Sequence, residues 1–387
     1  MRTHGNTATR DRRGIAMLMA LAVVLLLTMF MTELFFATGL ELRAMTTYKE
    51  SNRAHTLARA AFQALQAGLL LDEKEFYKGY RELSKFLVIG AVPLEDGLLL
   101  ELEVAPQESL FNLNELGNLR EQTDQDFVRQ EIFFHTLEDL ELPAENPDLP
   151  PELIPAEVIQ GLYATIWDWL DAGDEEYIGF AAARGAEAYS YMAEKPEFQV
   201  KNAMLDQLSE IRLVKGVAES RIPWATFQKR FTALPRNPSG DELFGERINV
   251  NVASPEEIVT FLKRHKIESP LQSTTLKDIQ ENINQYVDKA EEIADTLVPT
   301  ELGPDGEKKE KEREYLSMKD ILAKMKGLGL KENYARYIFI AHGEYYRVRA
   351  VMEVGVVQAR LDAVLRVTRN AESRKGEKIS VIWVSLQ

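Results

Sequence analysis

The sequence predicts an α+β fold: one long N-terminal helix and a small antiparallel sheet, with a large all-α domain inserted within that sheet. Three observations predict it. Residues 15–32 are uncharged and largely apolar, and an amphipathic helical pattern continues behind them to residue 71. Alternating apolar and polar residues, typical of strands, occur at 98–106 and again from residue 346 onward. Between these strand regions, helical patterns separated by proline-rich connectors occupy residues 110–341.

Residues 1–14 form a polar leader that is rich in arginine. They carry four arginines and one acid and have no apolar periodicity, so we expect them not to fold. The apolar segment 15–32 has 18 residues, and at about 1.5 Å per helical residue it reaches roughly 27 Å, enough to cross bilayer hydrocarbon. Because basic flanks stay on the cytoplasmic side, we expect a single-pass inner-membrane protein with a cytoplasmic leader and a periplasmic bulk.

Three kinds of N-terminal segment fit this pattern. A cleaved secretory signal would end near residues 37–39, but the apolar core is long for one. A plain signal anchor would stay uncut. In the third kind the chain is cut between Gly14 and Ile15, because a basic leader that ends in glycine directly before the helix resembles the cleavage site of type IV prepilins and pseudopilins. That resemblance implies a prepilin peptidase and N-methylation of Ile15.

Counted from Ile15, the fifth residue is Met19, where most pilin-like proteins have a glutamate. In the pilin family that glutamate is understood to neutralise the amino terminus of the subunit already in the filament, since a carboxylate in lipid is costly without such a partner. A subunit with nothing ahead of it needs no such pair. The resemblance therefore implies either that Met19 marks the first, tip-most subunit or that the chain is no pilin.

Composition argues against several classes of function. The chain has 387 residues and a formal net charge of −15, which repels phosphate backbones, so nucleic acid is not expected as a main partner. It has no cysteine, which rules out disulfides, thiolate metal sites and cysteine nucleophiles. Its five histidines lie outside any HExxH pattern, and the GxSxG, P-loop and dinucleotide-binding glycine patterns are absent. We therefore expect no enzymatic activity.

Several segments together resemble the minor pseudopilin K of the type II secretion system, the general secretion pathway protein K family. They are RRGIAMLMALAVVLLL at 12–27, FNLNEL at 111–116, WDWLDAGDEEY at 167–177, GAEAYSY at 185–191, KNAMLDQLSEIRLVKGV at 201–217, INVNVASPEEI at 248–258 and the strand-rich C-terminal region. The resemblance implies a pilin-like fold. In it a spine helix 15–71 carries a β domain of residues 72–109 and 342–387, and the helical domain 110–341 is the insertion.

The same resemblance implies a function. The family's place is the tip of the pseudopilus, so we expect a structural minor pseudopilin that caps this tip and nucleates its assembly for protein export across the outer membrane. The implied partners are minor pseudopilins I and J, the major pseudopilin, the prepilin peptidase and the inner-membrane secretion platform. After assembly the chain would lie at the tip of the periplasmic pseudopilus.

Two segments fit a different interpretation. INVNVASPEEI and LVKGV look like parts of helix-hairpin-helix modules, in which Ser254 caps a helix with Glu257 three residues on and Gly216 makes a tight turn. Such modules often bind DNA, so the alternative function is a membrane-anchored periplasmic protein that binds DNA for uptake. Acids such as Asp206 and Glu219 lie close to the hairpins, which favours a scaffold without nucleic acid.

An acidic segment, DWLDAGDEEYIGFAAARGAE at 168–187, carries six carboxylates around an expected helix end. Calcium takes six to eight oxygens from flexible loops, so carboxylates at this density suit it. The resemblance implies calcium in the helical domain and assigns it to Asp171, Asp174 and Glu187. The chain departs from the family pattern at Gly173, where an acid is common, and in a longer stretch before Glu187. Both a calcium site and a solvated acidic helix end fit the segment.

Overall fold

The structure is a computed structural model that describes residues 8–70, 92–94, 97–118, 124–138, 140–142, 152–179, 183–192, 200–235, 246–269, 271, 273–302, 308–310, 314–368 and 378–386. Its α-helices are α1 Ala8–Leu69, α2 Asp124–Glu138, α3 Ala156–Leu170, α4 Ala188–Tyr191, α5 Trp224–Arg230, α6 Pro255–Arg264, α7 Thr274–Asp288, α8 Ala290–Leu297, α9 Met318–Gly327 and α10 Ala335–Ile338. Short 3-10 helices lie at Leu113–Asn118, Leu208–Leu213 and Glu332–Tyr334.

The strands are β1 Val92–Leu94, β2 Gly97–Pro106, β3 Phe111–Asn112, β4 Glu141–Leu142, β5 Glu152–Leu153, β6 Phe231–Thr232, β7 Ile248–Asn249, β8 Thr300–Leu302, β9 Lys308–Glu310, β10 Phe339–Ile340, β11 Tyr345–Val354, β12 Val357–Thr368 and β13 Lys378–Leu386. Strands β1, β2, β11, β12 and β13 form one antiparallel sheet in that order. The remaining strands pair in twos within the inserted region.

Helix α1 runs without interruption from Ala8 to Leu69. It includes residues 8–14, so the expectation that the whole leader stays unfolded is wrong for that part. Extending an existing helix adds one hydrogen bond for each residue fixed and carries no new nucleation cost, which explains why polar residues continue it. From Ile15 onward α1 is long and apolar enough to cross a membrane. Its most apolar stretch of 18 residues is not buried by any other described part of the chain.

The second half of α1 covers one face of the sheet. Strand β11 alternates strictly between buried and half-buried side chains, as expected for a sheet with one covered face. Ala54 and Ala58 of α1 are fully buried against the sheet, and Leu65 and Leu69 are nearly so. Alanine at these two positions lets the helix backbone approach the strands closely. The predicted α+β, pilin-like class is confirmed, and the sheet has one strand, β1, beyond the four expected.

Contacts at the two ends of the sheet orient it along α1. The turn between β11 and β12 touches Glu50, which lies on the membrane side of the covering segment: Val356 N–H donates to Glu50 Oε2 at 3.4 Å. Gly355 there has φ +60°, and a Cβ on it would lie 2.4 Å from the Glu50 carboxylate. At the opposite end Pro106 pairs with Tyr346, where the insertion leaves and rejoins the sheet. The insertion is therefore attached to the end of the sheet that lies away from the apolar half of α1.

The inserted region has its own hydrophobic core, rich in aromatic side chains. Phe133 on α2 packs edge to face against Phe111 and Tyr163, with ring centroids 5.5 and 5.4 Å apart. A buried carboxylate, Asp126, accepts hydrogen bonds from the hydroxyls of Tyr163 and Tyr177 at 2.6 and 3.1 Å. These contacts tie α2, α3 and the loop after α3 into one unit.

Asparagine side chains organise the first half of the insertion. β3 pairs in parallel with β6, although their first members, Phe111 and Phe231, are 120 positions apart in the sequence. Asn114 donates to the carbonyl oxygens of Leu205 and Leu234 at 3.0 and 2.9 Å and accepts from the N–H of Leu205 at 2.7 Å. A single buried amide therefore joins three distant segments of the chain.

The second half of the insertion repeats this arrangement. β7 pairs in parallel with β10. Asn251 donates to the carbonyl oxygens of Leu316 and Ala341 at 2.9 and 2.7 Å and accepts from the N–H of Leu316 at 2.8 Å. The segments FNLN and INVN thus have the same role, and the insertion is built from two similar halves. Their short parallel strands are an addition to the all-α domain that the sequence predicts.

Candidate functional site

The acidic segment after α3 folds back on itself. Asp171 ends the helix, and its N–H donates to the carbonyl oxygen of Trp167 at 3.0 Å. Ile178 and Arg184 then form an antiparallel bridge that reverses the chain. The reversal returns Glu187, the residue that precedes α4, to the C-terminal end of α3.

Two carboxylates of this segment are buried. Asp168 Oδ1 accepts from the N–H of Tyr177 at 2.9 Å, whereas Asp168 Oδ2 and both oxygens of Glu187 have no hydrogen-bond partner among the described residues. Burial, with a smaller contribution from the negative charges of Glu187 and Asp171, raises the pKa of Asp168 to about 7. Burial also raises the pKa of Glu187, with Asp171 and Asp174 adding to it. The site therefore holds buried oxygen donors and an excess of negative charge.

The structure brings the three predicted calcium ligands into one neighbourhood. Asp171 is half-buried, and burial together with the charge of Asp174 raises its pKa. Asp174 is exposed to solvent. In the part of the chain that the structure describes, no three His, Asp or Glu side chains are arranged so as to hold a metal ion. The donors suit calcium in chemistry and are near one another, and the calcium site stays a prediction.

Three further residues shape this site, and the predicted ligand set did not include them. Asp168 lies three residues before Asp171, one helical turn earlier, and that spacing was the available signal. Asn202 has φ +45° and donates from Nδ2 to the carbonyl oxygen of Gly173 at 2.8 Å, while its Oδ1 is buried without a partner in the described chain. A Cβ on Gly185 would lie 1.8 Å from Asp168 Oδ2, so only glycine fits there.

The processing residues lie on the free part of α1. Gly14 and Ile15 are within the helix, and the side chains of Ile15 and Met19 are 56% and 67% exposed. Residue 19 is a methionine and so offers no carboxylate. Cleavage after Gly14, methylation of Ile15 and the assembly role of Met19 stay predictions.

The predicted hairpin features are present. Ser254 Oγ accepts from the N–H of Glu257 at 3.2 Å, and Glu257 Oε2 accepts from the N–H of Ser254 at 2.7 Å, which confirms the capping box. Gly216 has φ +87°, which confirms the tight turn. The first turn of α6 also carries Glu256, so this helix start presents carboxylates where a DNA-binding hairpin would present amides to phosphates. This arrangement does not favour the DNA-uptake alternative.

Comparisons with known proteins agree with one another. The family described as type II secretion system (T2SS), protein K, matches residues 109–236. A protein of Pseudomonas aeruginosa named "Type II secretion system protein K" is 27% identical over 269 residues, which cover 67% of this chain and 75% of that protein. A chain in the crystal structure of the GspK-GspI-GspJ complex from the enterotoxigenic Escherichia coli type 2 secretion system matches with a TM-score of 0.50 and 16% identity, over 90% of this chain and 99% of that chain.

The matched residues 109–236 include the first asparagine-organised half of the insertion and the acidic segment, and the structural match covers 90% of the chain. The sequence relative and the fold thus point the same way as the family match. These matches agree with the resemblance that the sequence segments predict: the chain is similar to type II secretion system protein K.

Proposed function

We propose that this chain is the first, tip-most subunit of the type II secretion pseudopilus and that it leads assembly with minor pseudopilins I and J. The similarity to type II secretion system protein K supports a pseudopilin role. The observation that carries the finer proposal is Met19, which stands where a filament subunit needs a carboxylate to neutralise the amino terminus of the subunit ahead. A methionine cannot do this, so the chain has no means of joining behind another subunit.

The exposed part of α1 supports assembly through the spine. Between Ile15 and Tyr48 the large apolar side chains are half or more exposed, whereas beyond Glu50 the same helix is covered by the sheet. An apolar surface of this length needs lipid or other helices around it. We propose that it lies in the inner membrane before assembly, with the leader cytoplasmic, and packs against the spine helices of its partners afterwards.

The position of the insertion supports an apical place. It is attached where Pro106 pairs with Tyr346, at the end of the sheet opposite the turn that contacts Glu50. A bulky domain at that end would stand above the sheets of the neighbouring subunits and block further subunits from adding there. Minor pseudopilins I and J are the proposed neighbours, because the structure that shares this fold is a complex of that composition.

Processing and export follow from the same proposal. A prepilin peptidase would cut after Gly14 and expose Ile15 for N-methylation. The inner-membrane secretion platform would then draw the spine out of the bilayer, with the major pseudopilin added below. The chain's own contribution to export across the outer membrane is structural.

Co-purification tests the tip assignment. The full chain, expressed with the prepilin peptidase and with minor pseudopilins I and J, is expected to purify in detergent as one complex with both. Met19→Leu keeps the apolar surface and is expected to retain the complex, whereas Met19→Glu adds an unpartnered carboxylate to the spine and is expected to weaken it. If the chain purifies without minor pseudopilin I, without minor pseudopilin J or without both, the proposal is contradicted.

We also propose that calcium binds beside the end of α3. The unpartnered oxygens of Asp168 and Glu187 would hold it together with Asp171 and Asp174, and Asn202 Oδ1 offers a further oxygen. The ion would offset the excess charge that raises the pKa of Asp168. When bound it supplies structural stabilisation only, by fixing the loop after α3 against its return segment.

Titration calorimetry on the full chain in detergent tests the calcium site. We expect heat with Ca²⁺ and stabilisation of about 2.7 kcal/mol at a hundredfold excess over the dissociation constant. Glu187→Gln is expected to abolish both effects, and Glu175→Gln, an exposed acid of the same loop, is the matched control. No heat, and no change in melting on adding a chelator, would contradict calcium while leaving the tip assignment intact.

A further inference from the structure

Helix α1 covers the two flanks of the sheet unequally. On the β2 flank, the apolar side chains that belong to the core under α1 are all buried: Leu99, Leu102 and Val104. On the β13 flank, the side chains of Val381 and Val384 are 45% and 50% exposed. The sheet therefore has a covered flank at β2 and an open flank at β13.

Strand pairing shows that the two exposed valines lie on the α1 face of the sheet. Val381 pairs with Leu365 of β12, and Val384 pairs with Ala363. Residues directly opposite each other in an antiparallel pair lie on the same face. Leu365 and Ala363 are fully buried in the core that also contains the covering part of α1. The valines thus extend this apolar face beyond the part that α1 covers.

The dimensions of the sheet leave room for a second helix on this face. Neighbouring strands lie about 4.8 Å apart and a helix with its side chains is about 10 Å wide, so one helix covers roughly two strands. Helix α1 lies against β11 and β12, and β13 is the edge strand beyond β12. A groove therefore runs between α1 and β13, and the exposed valines form its floor.

One side of α1 forms the wall of this groove. A Cβ on Gly97 of β2 would lie 3.1 Å from Leu57 Cδ1, so Leu57 faces the β2 flank. At about 100° per residue, Phe62 projects about 140° away from Leu57, across the buried stripe and toward β13. His55 and Tyr48 precede Phe62 at intervals of seven residues and so lie along the same side of the helix. This side leads from the exposed apolar half of α1 into the groove.

The form of β13 favours a helix over an added strand as the occupant. The register between β12 and β13 shifts between Val364 and Leu365, and such an irregularity disturbs the edge on which another strand would pair. A strand added in the plane of the sheet would also leave Val381 and Val384 uncovered, because their side chains project from its face. An element that lies on the face, as α1 does, covers them.

We propose that the groove between α1 and β13 receives the spine helix of one neighbouring pseudopilin, parallel to α1. Apolar side chains of that helix would cover Val381 and Val384 and pack against Phe62 and Tyr48. The direction follows from the membrane, since both spines begin in the same bilayer. The inference rests on the proposed function and adds to it the flank of this chain on which the neighbour packs.

A second copy of this chain is the competing occupant. The formal net charge is −15, and two chains with this charge repel each other. A different subunit is therefore the occupant that we propose, and the experiment below separates the two.

Site-specific crosslinking tests the inference, because the chain has no cysteine of its own. Val384→Cys, as the full chain in detergent, is labelled with a thiol-reactive benzophenone, combined with minor pseudopilins I and J, and irradiated. Leu94→Cys is the matched control, since Leu94 is 39% exposed on β1, the opposite edge of the sheet. We expect Val384→Cys to crosslink to the N-terminal helix of one partner, as mapped by peptide mass spectrometry, and Leu94→Cys not to do so.

A charged substitution measures the contribution of the groove to binding. Val384→Asp places a carboxylate where the partner helix would bury it, and it is expected to weaken the complex about tenfold or more. Leu94→Asp should bind the partners like the parent chain. Melting temperatures of both variants are compared with that of the parent, so that a loss of folding is not mistaken for a loss of binding.

Each other outcome has a definite meaning. A complex that forms without a crosslink from Val384→Cys to a partner helix, or that tolerates Val384→Asp, would overturn the groove while leaving the proposed function intact. A crosslinked dimer from labelled Val384→Cys without partners would assign the groove to a second copy and also overturn the inference. If no complex forms with the parent chain, the proposed function and this inference fall together.

Discussion

The carboxylate of Glu108 accepts a hydrogen bond at 2.6 Å from the backbone N–H of Tyr345, which lies at the other end of the insertion. The same oxygen also accepts from the N–H of Glu344, and Gln107 N–H donates to the carbonyl oxygen of Tyr345 at 2.9 Å. Glu108 stands where the chain leaves the sheet, and Tyr345 stands where it returns. One half-buried side chain therefore fixes the junction that holds the helical domain on the pilin-like sheet.

Replacement of this carboxylate should loosen the junction. Glu108→Ala removes an acceptor that two backbone N–H groups share, and it is expected to cost about 1–3 kcal/mol of unfolding free energy. Hydrogen exchange at Glu344 and Tyr345 should accelerate as well. Glu344→Ala removes an exposed side chain at the same junction and is the control. Equal melting temperatures for the two variants would contradict the assigned role of Glu108.

Stability should fall as the pH rises from 6.5 to 8. Burial raises the pKa values of Glu108, Asp168 and Glu246 to about 7, from unfolded values of 4.5, 3.8 and 4.5. A carboxyl group with a raised pKa stabilises the fold while it is protonated, and this contribution is lost as the pH rises through about 7. Burial lowers the pKa of His265 to about 3, so its opposite contribution changes only below pH 6.5.

Calorimetric melting in the presence of a chelator measures this dependence. In the Glu108→Gln variant the side chain at position 108 cannot ionise, so the fall in melting temperature between pH 6.5 and 8 should be smaller. Calcium should flatten it further if it binds beside Asp168, since the ion replaces the proton there. A melting temperature that rises between pH 6.5 and 8 would contradict the predicted sign.

Asn114 and Asn251 should contribute similarly to the free energy of unfolding. Asn114→Ala and Asn251→Ala each leave buried backbone groups without a partner, and each is expected to cost about 1–3 kcal/mol. Asn333→Ala, at an exposed position, should change stability by less than about 0.5 kcal/mol. Chemical denaturation of the three variants checks this, and a neutral result at either buried asparagine would refute the description of two similar halves.

Gly185, which lies within the acidic segment, should not tolerate a larger residue. Gly185→Ala would place a methyl group on Asp168 Oδ2, and the displacement is expected to cost about 1–3 kcal/mol as for other overpacked sites. Calcium binding should be lost with it if Asp168 is a ligand. Gly327→Ala, with open space around the new Cβ, is the control. Wild-type melting of Gly185→Ala would show that Asp168 can move freely.

Local sequence patterns predicted much of the fold. The uncharged run after Ile15 predicted the spine, and alternation predicted the strands now seen as β2, β11, β12 and β13. Ser254 predicted a helix start and Gly216 predicted a turn, because the roles of both residues depend only on their neighbours in the sequence. These features are local, so periodicity and capping chemistry reveal them.

The features that the sequence did not reveal depend on distant contacts. Nothing in the local sequence distinguishes Asn114 and Asn251 from other asparagines. Their side chains bind carbonyl groups that are 65 to 120 positions away in the sequence, and only the fold brings these groups together. Asp168 lies one helical turn before Asp171, which places it near the other acids, but its complete burial depends on the fold.

The mature N-terminus tests the account most directly. The chain is isolated from the inner membrane of cells that have the prepilin peptidase, and its N-terminal residue and intact mass are measured. The account predicts N-methylated Ile15 as the first residue, with 387 − 14 = 373 residues in the mature chain. A chain that begins near Leu40, or one that retains Met1, would contradict a pseudopilin spine cut at Gly14.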